Sequence, residues 1–289
     1  MDIVNIIFLA IIGSVIGSFS GATIWRLRAK DLKRQKDSHQ FFSKKEYDKL
    51  ESLSRVTVKN DRSICLHCKH QLSAIDLIPI VSWISLGGKC RYCRKPIGKF
   101  EITIEIITAA FFVMSYYFWP YAINSFPEAL RFSLWLVIGV GLIIIGGYDS
   151  KWSEIPTLLM YIIIGLSAVW AVARLADNHF AGSAITSLII SIVILSGLYL
   201  VIYLFSKGKW IGFGDVELGL ALGLLLGDWT QAFVAIFAAN LIGTVMVLPG
   251  LITKKLNRNQ PVPFGPLFIA GFFIAFIYGD QIAASLLYL

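Results

Sequence analysis

Apolar residues in this chain gather into long unbroken runs separated by short polar connections, without the alternation of a strand or the stripe of a surface helix. A helical run of about 20 apolar residues matches the thickness of a bilayer core. Eight such runs are read: 3–25, 102–121, 131–148, 155–174, 183–205, 211–227, 230–250 and 266–288. The 211–227 run is short and rich in glycine. The pattern predicts an all-α polytopic membrane protein with about eight transmembrane helices. Composition agrees, because 289 residues that are 56% hydrophobic and 15% charged carry more apolar surface than a soluble domain can hide. The opening MDIVNIIFLAIIG lacks a basic stretch and a small-residue cleavage site, so it is expected to remain as a first helix.

The net charge of +8 could point to nucleic acid, but its distribution argues against that partner. Of 26 Lys and Arg residues, 18 fall between Arg26 and Lys99. Six more occupy the connections holding Lys151, Lys207, Lys209, Lys254, Lys255 and Arg258. Eight crossings put all of these on one side and leave only Arg131 and Arg174 on the other, a strong positive-inside asymmetry. The expected organisation is a first transmembrane helix over 1–25, a cytoplasmic domain over 26–100 and a transmembrane domain over 101–289. Both termini then lie outside.

Within the cytoplasmic stretch, residues 30–62 are charged and read as a solvated excursion, with SKKEYDKLESL as an exposed helix starting after a Ser43 cap. The remainder holds all four cysteines, as CLHC (Cys65, Cys68) and CRYC (Cys90, Cys93). Two C-x2-C pairs 21 residues apart are the framework of a tetrahedral thiolate zinc site, and a reducing cytoplasm argues against disulfides. His67 and His70 lie near but are surplus to four sulfurs. A closed four-cysteine site offers no open position for catalysis, so the metal is expected to be structural.

Two carboxylates stand at the ends of apolar runs beside glycines, Asp149 in IIIGGYDSKW and Asp215 in WIGFGDVELG. The charge count puts both at the cytoplasmic face. An acid at a membrane boundary is a functional candidate by default. Gly212 and Gly214 remove bulk around Asp215. Helical steps of four from Asp215 reach Gly219, Gly223 and Gly227, a small-residue face expected to press this span against the one bearing Asp149. Two carboxylates brought together share a proton and supply a general base and a general acid. Peptide hydrolysis by an aspartic dyad and proton-coupled transport both fit that spacing. A membrane-tethered zinc adaptor, needing only the cysteines, is a third reading. A transporter wants acids near mid-membrane with routes to both sides, whereas these sit at one boundary.

The residues also resemble a family, the type IV prepilin leader peptidases/N-methyltransferases, bacterial GxGD-type aspartic membrane proteases. GSFSGATIWRL (17–27) is similar to its first-helix signature, departing at Ser20 and Gly21. RSICLHCKHQLSAIDLIPIVSWISLGGKCRYCRKPIGKFEITIEIITA (62–109) resembles its cysteine domain, with Asp76-Leu77-Ile78-Pro79, Ser82-Trp83 and Glu105 in place. YDSKWSEIP (148–156) and GFGD (212–215) resemble its two catalytic segments, and PVPFGPLFIAG (261–271) its closing motif. The resemblance implies an enzyme that cuts the basic leader of pilin-like precursors after glycine at the cytoplasmic membrane, through Asp149 and Asp215. It also implies methylation of the new N-terminus from S-adenosylmethionine, associated with the zinc-ordered cysteine domain. A peptidase without methyl transfer is the nearest alternative. Glu217 stands where the family often has Lys, Thr157 follows Pro156 where it has Asp, and the 30–62 stretch is longer than usual.

Overall fold

The computed structural model describes residues 3–54, 62–253 and 262–287. Lys254, Lys255, Arg258 and Pro261, and part of the 30–62 stretch, lie outside the described residues. Among those described, helices and turns account for the regular structure, and two isolated β-bridges replace any strand. Seven of the described helices are long and apolar enough to cross a membrane. The chain divides into two compact units, residues 1–129 and 130–289.

In the first unit, α1 (Ile3–Asp37) is a single helix of 35 residues. At 1.5 Å per residue it is about 52 Å long, far more than a bilayer core of about 30 Å, so its basic end projects from the membrane. It packs against α4 (Phe100–Tyr117) through glycines. A β-carbon on Gly13 would lie 2.8 Å from Ala109 Cα, and one on Gly17 would lie 2.7 Å from Glu105 Cα. Close approach of backbones is what small residues one turn apart allow.

The described part of the 30–62 stretch, residues 30–54, is not the solvated excursion expected. Its helix, α2 (Lys44–Ser54), does begin after Ser43, whose Oγ accepts from the Glu46 amide at 3.4 Å. One face of it is buried: Tyr47, Leu50 and Leu53 close over Ala29 and Leu32 of α1, with Trp25, Phe42, Ile64 and Leu66 at the edge. Arg28, itself buried, forks onto Glu46 with bonds of 3.2 and 2.9 Å. Lys69 Nζ donates to the Lys49 carbonyl at 2.6 Å, so the hairpin braces the first cysteine loop.

In the second unit, α5 (Phe126–Trp152) returns through a sharp turn into α6 (Thr157–Asp177). The next span runs α7 (Gly182–Ile192), one wide turn over Val193–Gly197, then α8 (Leu198–Ser206). After it come α9 (Phe213–Leu226), α10 (Trp229–Ile252) and α11 (Gly265–Leu287). The 211–227 run explains why seven helices rather than eight meet the length of a full crossing. α9 has 14 residues, about 21 Å. It nevertheless lies alongside α6 in the same direction. Gly214 meets Ile155 at one end, Trp170 Nε1 donates to the Leu225 carbonyl at 3.1 Å, and Gly227 meets Arg174 at the other end. Leu218, Ala221, Leu222, Leu225 and Leu226 are fully enclosed, so α9 is apolar because protein surrounds it.

The glycine face of α9 has a different neighbour from the one expected. A β-carbon on Gly219 would sit 2.1 Å from the Leu195 carbonyl oxygen, and one on Gly223 would sit 2.9 Å from Ile192 Cα. The stripe therefore seats the wide turn between α7 and α8 and not the span carrying Asp149. A turn of this kind frees backbone groups from the helical ladder, and serines tie it to α9. Ser196 Oγ donates to the Val216 carbonyl at 2.9 Å, and Ser191 Oγ to the Gly223 carbonyl at 3.0 Å.

Candidate active site and metal centre

Asp149 lies in the last turn of α5 and is 5% exposed. Its Oδ2 accepts the backbone N–H of Gly265 at 2.9 Å. That amide belongs to the first residue of α11, where helical N–H groups have no partner within their own helix. Glycine is required for the contact, since a β-carbon on Gly265 would come within 2.8 Å of the same oxygen. Gly146, one turn earlier on α5, opens room for Ile269 and Pro266 of α11.

Asp215 stands in the first turn of α9 and is partly exposed. Its Oδ2 accepts the Gly212 N–H at 3.3 Å, closing the helix start on itself. Gly214 meets the Ile155 side chain, with a β-carbon there only 3.0 Å from Ile155 Cβ. The loop that follows Asp149 is thereby pressed against the turn that carries Asp215, and the two carboxyl groups act on one another electrostatically. Asp215 is also within electrostatic reach of the buried Tyr199 hydroxyl, which accepts from Asn240 Nδ2 at 3.4 Å. Tyr199 packs its ring against Phe264 and Phe268, with centroids 5.3 and 5.2 Å apart. Glu217, two residues beyond Asp215, is rotated about 200° around α9 and half-buried.

Sequence reading found both aspartates and the glycines beside Asp215 but assigned no task to Gly265, Ile155, Tyr199 or Asn240. Tyr199 and Asn240 carried a usable signal as polar side chains inside apolar spans. Gly265 carried a weaker one, a glycine opening a helix after Pro263-Phe264.

The four cysteines converge in the first unit. Cys65, Cys68, Cys90 and Cys93 bring their sulfurs within 4.8 Å of one another, and Cys65 Sγ lies 3.9 Å from Cys93 Sγ. Four sulfurs at about 2.3 Å from a tetrahedral zinc would be about 3.8 Å apart, so the donor set and its spacing fit that ion. The two loops repeat one construction. Cys65 N donates to the His70 carbonyl and Cys90 N to the Lys95 carbonyl, both at 2.9 Å. Lys69 (φ 62) and Arg94 (φ 58) make the matching left-handed turns. Bridges at Ile64–Gln71 and Lys89–Pro96 close each loop. Burial works against ionisation of Cys90, but backbone N–H donors from Cys93 and Tyr92 together with the Cys65 and Cys93 thiols bring the Cys90 thiol down to about 7, while burial pushes the neighbouring Cys65 thiol up to about 11. His67 is exposed, and His70 stacks on Tyr92 at 3.7 Å, so the histidines stay outside the donor set.

Asp76 ties the segment between the loops to the second one. It accepts from Arg91 Nε at 2.6 Å, Tyr92 Oη at 3.1 Å and Ser73 Oγ at 2.8 Å. Burial opposes its charge, yet these donors prevail and hold the carboxyl at about 2. Glu105, on α4, is buried and accepts the Ile80 N–H at 2.7 Å.

Comparison with known proteins places these features in one family. The bacterial peptidase A24 N-terminal domain matches residues 11–119, and the type IV leader peptidase family matches residues 136–248. A prepilin leader peptidase/N-methyltransferase of Stutzerimonas stutzeri is 26% identical over 96% of this chain and 92% of its own. The protein of that name from Pseudomonas aeruginosa is 24% identical over 96% of this chain and 91% of its own. The one from Bacillus subtilis is 28% identical over 76% of this chain and 83% of its own. No solved structure matches. With its two domains matched in order and relatives aligned along nearly its whole length, the chain belongs to the type IV leader peptidase family.

Proposed function

We propose that this protein is a membrane aspartic endopeptidase that removes the basic leader of type IV pilin-like precursors after glycine and then N-methylates the exposed amine. The observation that carries the peptidase reading is that Asp149 and Asp215 lie within electrostatic reach of one another in the second unit, with the Gly265 and Gly212 amides each holding one oxygen. One aspartate takes a proton from water as the water oxygen attacks the scissile carbonyl. The other gives its proton to the leaving amine.

The positive-inside rule supports a cytoplasmic site and outward termini in the bacterial inner membrane, because Asp149 stands beside Lys151 in the last turn of α5 and α9 begins just after Lys207 and Lys209. A precursor with a basic leader and an apolar helix suits that boundary, its leader in water and its helix in lipid.

Cys65, Cys68, Cys90 and Cys93 would hold zinc, and the ion would supply the stability that so small a loop domain lacks. S-adenosylmethionine is the methyl donor that the relatives' name implies. A basic hollow beside α1 is lined by Lys30, Lys33, Arg34, Asp37, Ser38 and Ser54, among which there is no apolar or aromatic residue to cover an adenine ring. It is not assigned to the donor.

The test uses purified enzyme in lipid, a pilin-like precursor with a basic leader ending in glycine, and mass spectrometry with and without S-adenosylmethionine. Wild type is expected to release the leader and, with donor, to add about one methyl mass. Asp149→Asn and Asp215→Asn should each reduce cleavage by about 10²–10⁴-fold. Cleavage that survives both changes overturns the dyad, and leader loss without methyl gain removes the second activity.

A further inference from the structure

The segment 74–86, AIDLIPIVSWISL, belongs to the cysteine domain yet turns large apolar side chains outward. Ile75 and Ile84 are 64% exposed and Val81 60%, with Leu77 and Ile78 exposed beside them. Only the 74–77 turn and the five-residue helix α3 (Val81–Ser85) give it regular structure, so its own fold cannot cover these groups.

Its height relative to the membrane helices is set by a buried bond. Ile80 N–H donates to Glu105 Oε2 at 2.7 Å, and Glu105 also bonds Ser18 of α1. Glu105 lies five residues inside α4, about 8 Å along its axis from Phe100. α4 has 18 residues, about 27 Å, and needs almost its whole length to cross a core of about 30 Å. The facing helix gives the same measure. Gly17 abuts Glu105, and nine residues of α1, about 13 Å, separate it from Arg26, the first charge on that helix. The Glu105 backbone is therefore about 6 Å past Glu101 on α4 and about 13 Å past Arg26 on α1, so Ile80, bonded to its carboxylate, is held near the level where both helices become apolar. The hold is firm enough to keep a β-branched residue at φ 61, a positive-φ conformation such residues rarely adopt.

The domain's other residues suit the layer above. Lys89, Arg91, Arg94, Lys95 and Lys99 are all exposed and follow the apolar segment directly. Exposed cations next to an apolar insertion match anionic headgroups over acyl chains.

We infer that residues 74–86 form a membrane-inserted loop, with Ile75, Val81 and Ile84 in the acyl region and the following basic residues at the phosphates, so that the bilayer itself is the surface on which the cysteine domain rests. This holds whether or not the chain cleaves a precursor.

The test places the photoreactive residue p-benzoylphenylalanine at Ile75, Val81 or Ile84, and at Arg94 for comparison, in the full chain in nanodiscs of phosphatidylethanolamine and phosphatidylglycerol. After irradiation, mass spectrometry should find lipid adducts at the first three positions at about tenfold the yield at Arg94. Equal yields at all four overturn the insertion. Transfer of the adduct from lipid to an added pilin-like precursor also overturns it, since the face would then be a protein-docking surface. In the unmodified protein, isoleucine methyl signals of Ile75 and Ile84 should broaden with lipids spin-labelled on the acyl chain and not with a water-soluble relaxation agent. The reverse result defeats the proposal even if the labelled variants misfold.

Discussion

Gly265 and Asp149, 116 residues apart in the chain, are joined by a hydrogen bond of 2.9 Å from the Gly265 backbone N–H to the Asp149 carboxylate, in a space too small for a β-carbon. Gly265→Ala is expected to displace the Asp149 carboxyl, and a shift of about 1 Å in a reacting group costs about 10²-fold in rate. Gly165→Ala, at a glycine with open space around it, should leave leader cleavage unchanged. Initial rates of precursor cleavage for the two variants test the contrast, and equal rates would show that the amide contact is dispensable.

Gly219 meets the Leu195 carbonyl where α9 seats the wide turn of the preceding span. Gly219→Ala should therefore lower thermal stability by about 1–3 kcal/mol, the usual cost of overpacking a tight contact. The melting temperature in detergent, compared with Gly165→Ala, reads the effect.

Leu50 is the centre of the contact between α2 and α1, at 1% exposure. Leu50→Ala should cost that contact about 2–5 kcal/mol. Amide hydrogen exchange across 44–54 should accelerate by orders of magnitude, while exchange in α9 stays as in wild type. A solvated hairpin would show no change in either.

Asp76 has its carboxyl held at about 2, below the ordinary 3.8, by Arg91, Ser73 and Tyr92 against the cost of burial. A depressed folded value means stabilisation that is complete above the unfolded value and lost as pH falls. Asp76→Asn should thus expose amides 73–91 to faster hydrogen exchange at neutral pH. The gap to wild type should narrow as pH drops from about 4 towards about 2. A gap that widens on acidification contradicts the assignment.

The four sulfurs predict one zinc per chain, bound with release of protons and therefore more weakly in acid. Elemental analysis should give a ratio near one for wild type and a large loss for Cys90→Ser. His67→Ala should retain the metal, because His67 lies exposed outside the sulfur cluster.

The two aspartates and the cysteine pairs were legible in the sequence because each breaks a local pattern: a charge where an apolar run ends, or two thiols one loop apart. α9 was harder to classify because a hydropathy pattern does not distinguish lipid from protein as the surroundings of Leu218 and Leu222. The partner of Gly219 and Gly223 was misjudged for a related reason. A stripe of small residues says that something packs closely there and not which helix does. In α2, Tyr47, Leu50 and Leu53 are too few among charges to announce a core, which exists only because α1 continues past the membrane to meet them. Gly265 was quoted within a motif, but its bond to Asp149 arises from tertiary contact alone.

The unbroken length of α1 constrains how this protein can vary. One stripe down the helix, from Gly13 and Gly17 through Ile24 to Arg28 and Leu32, serves the membrane contact with α4 at one end and the α2 hairpin at the other. Inserting a single residue midway would turn everything beyond it by about 100° and swing Leu32 and Arg28 away from their partners. Seven inserted residues bring the stripe back to within about 20° of its former bearing while lifting the hairpin about 10 Å. Chains of this design can therefore raise or lower the hairpin above the bilayer only by insertions that complete nearly whole turns, such as seven or eleven residues.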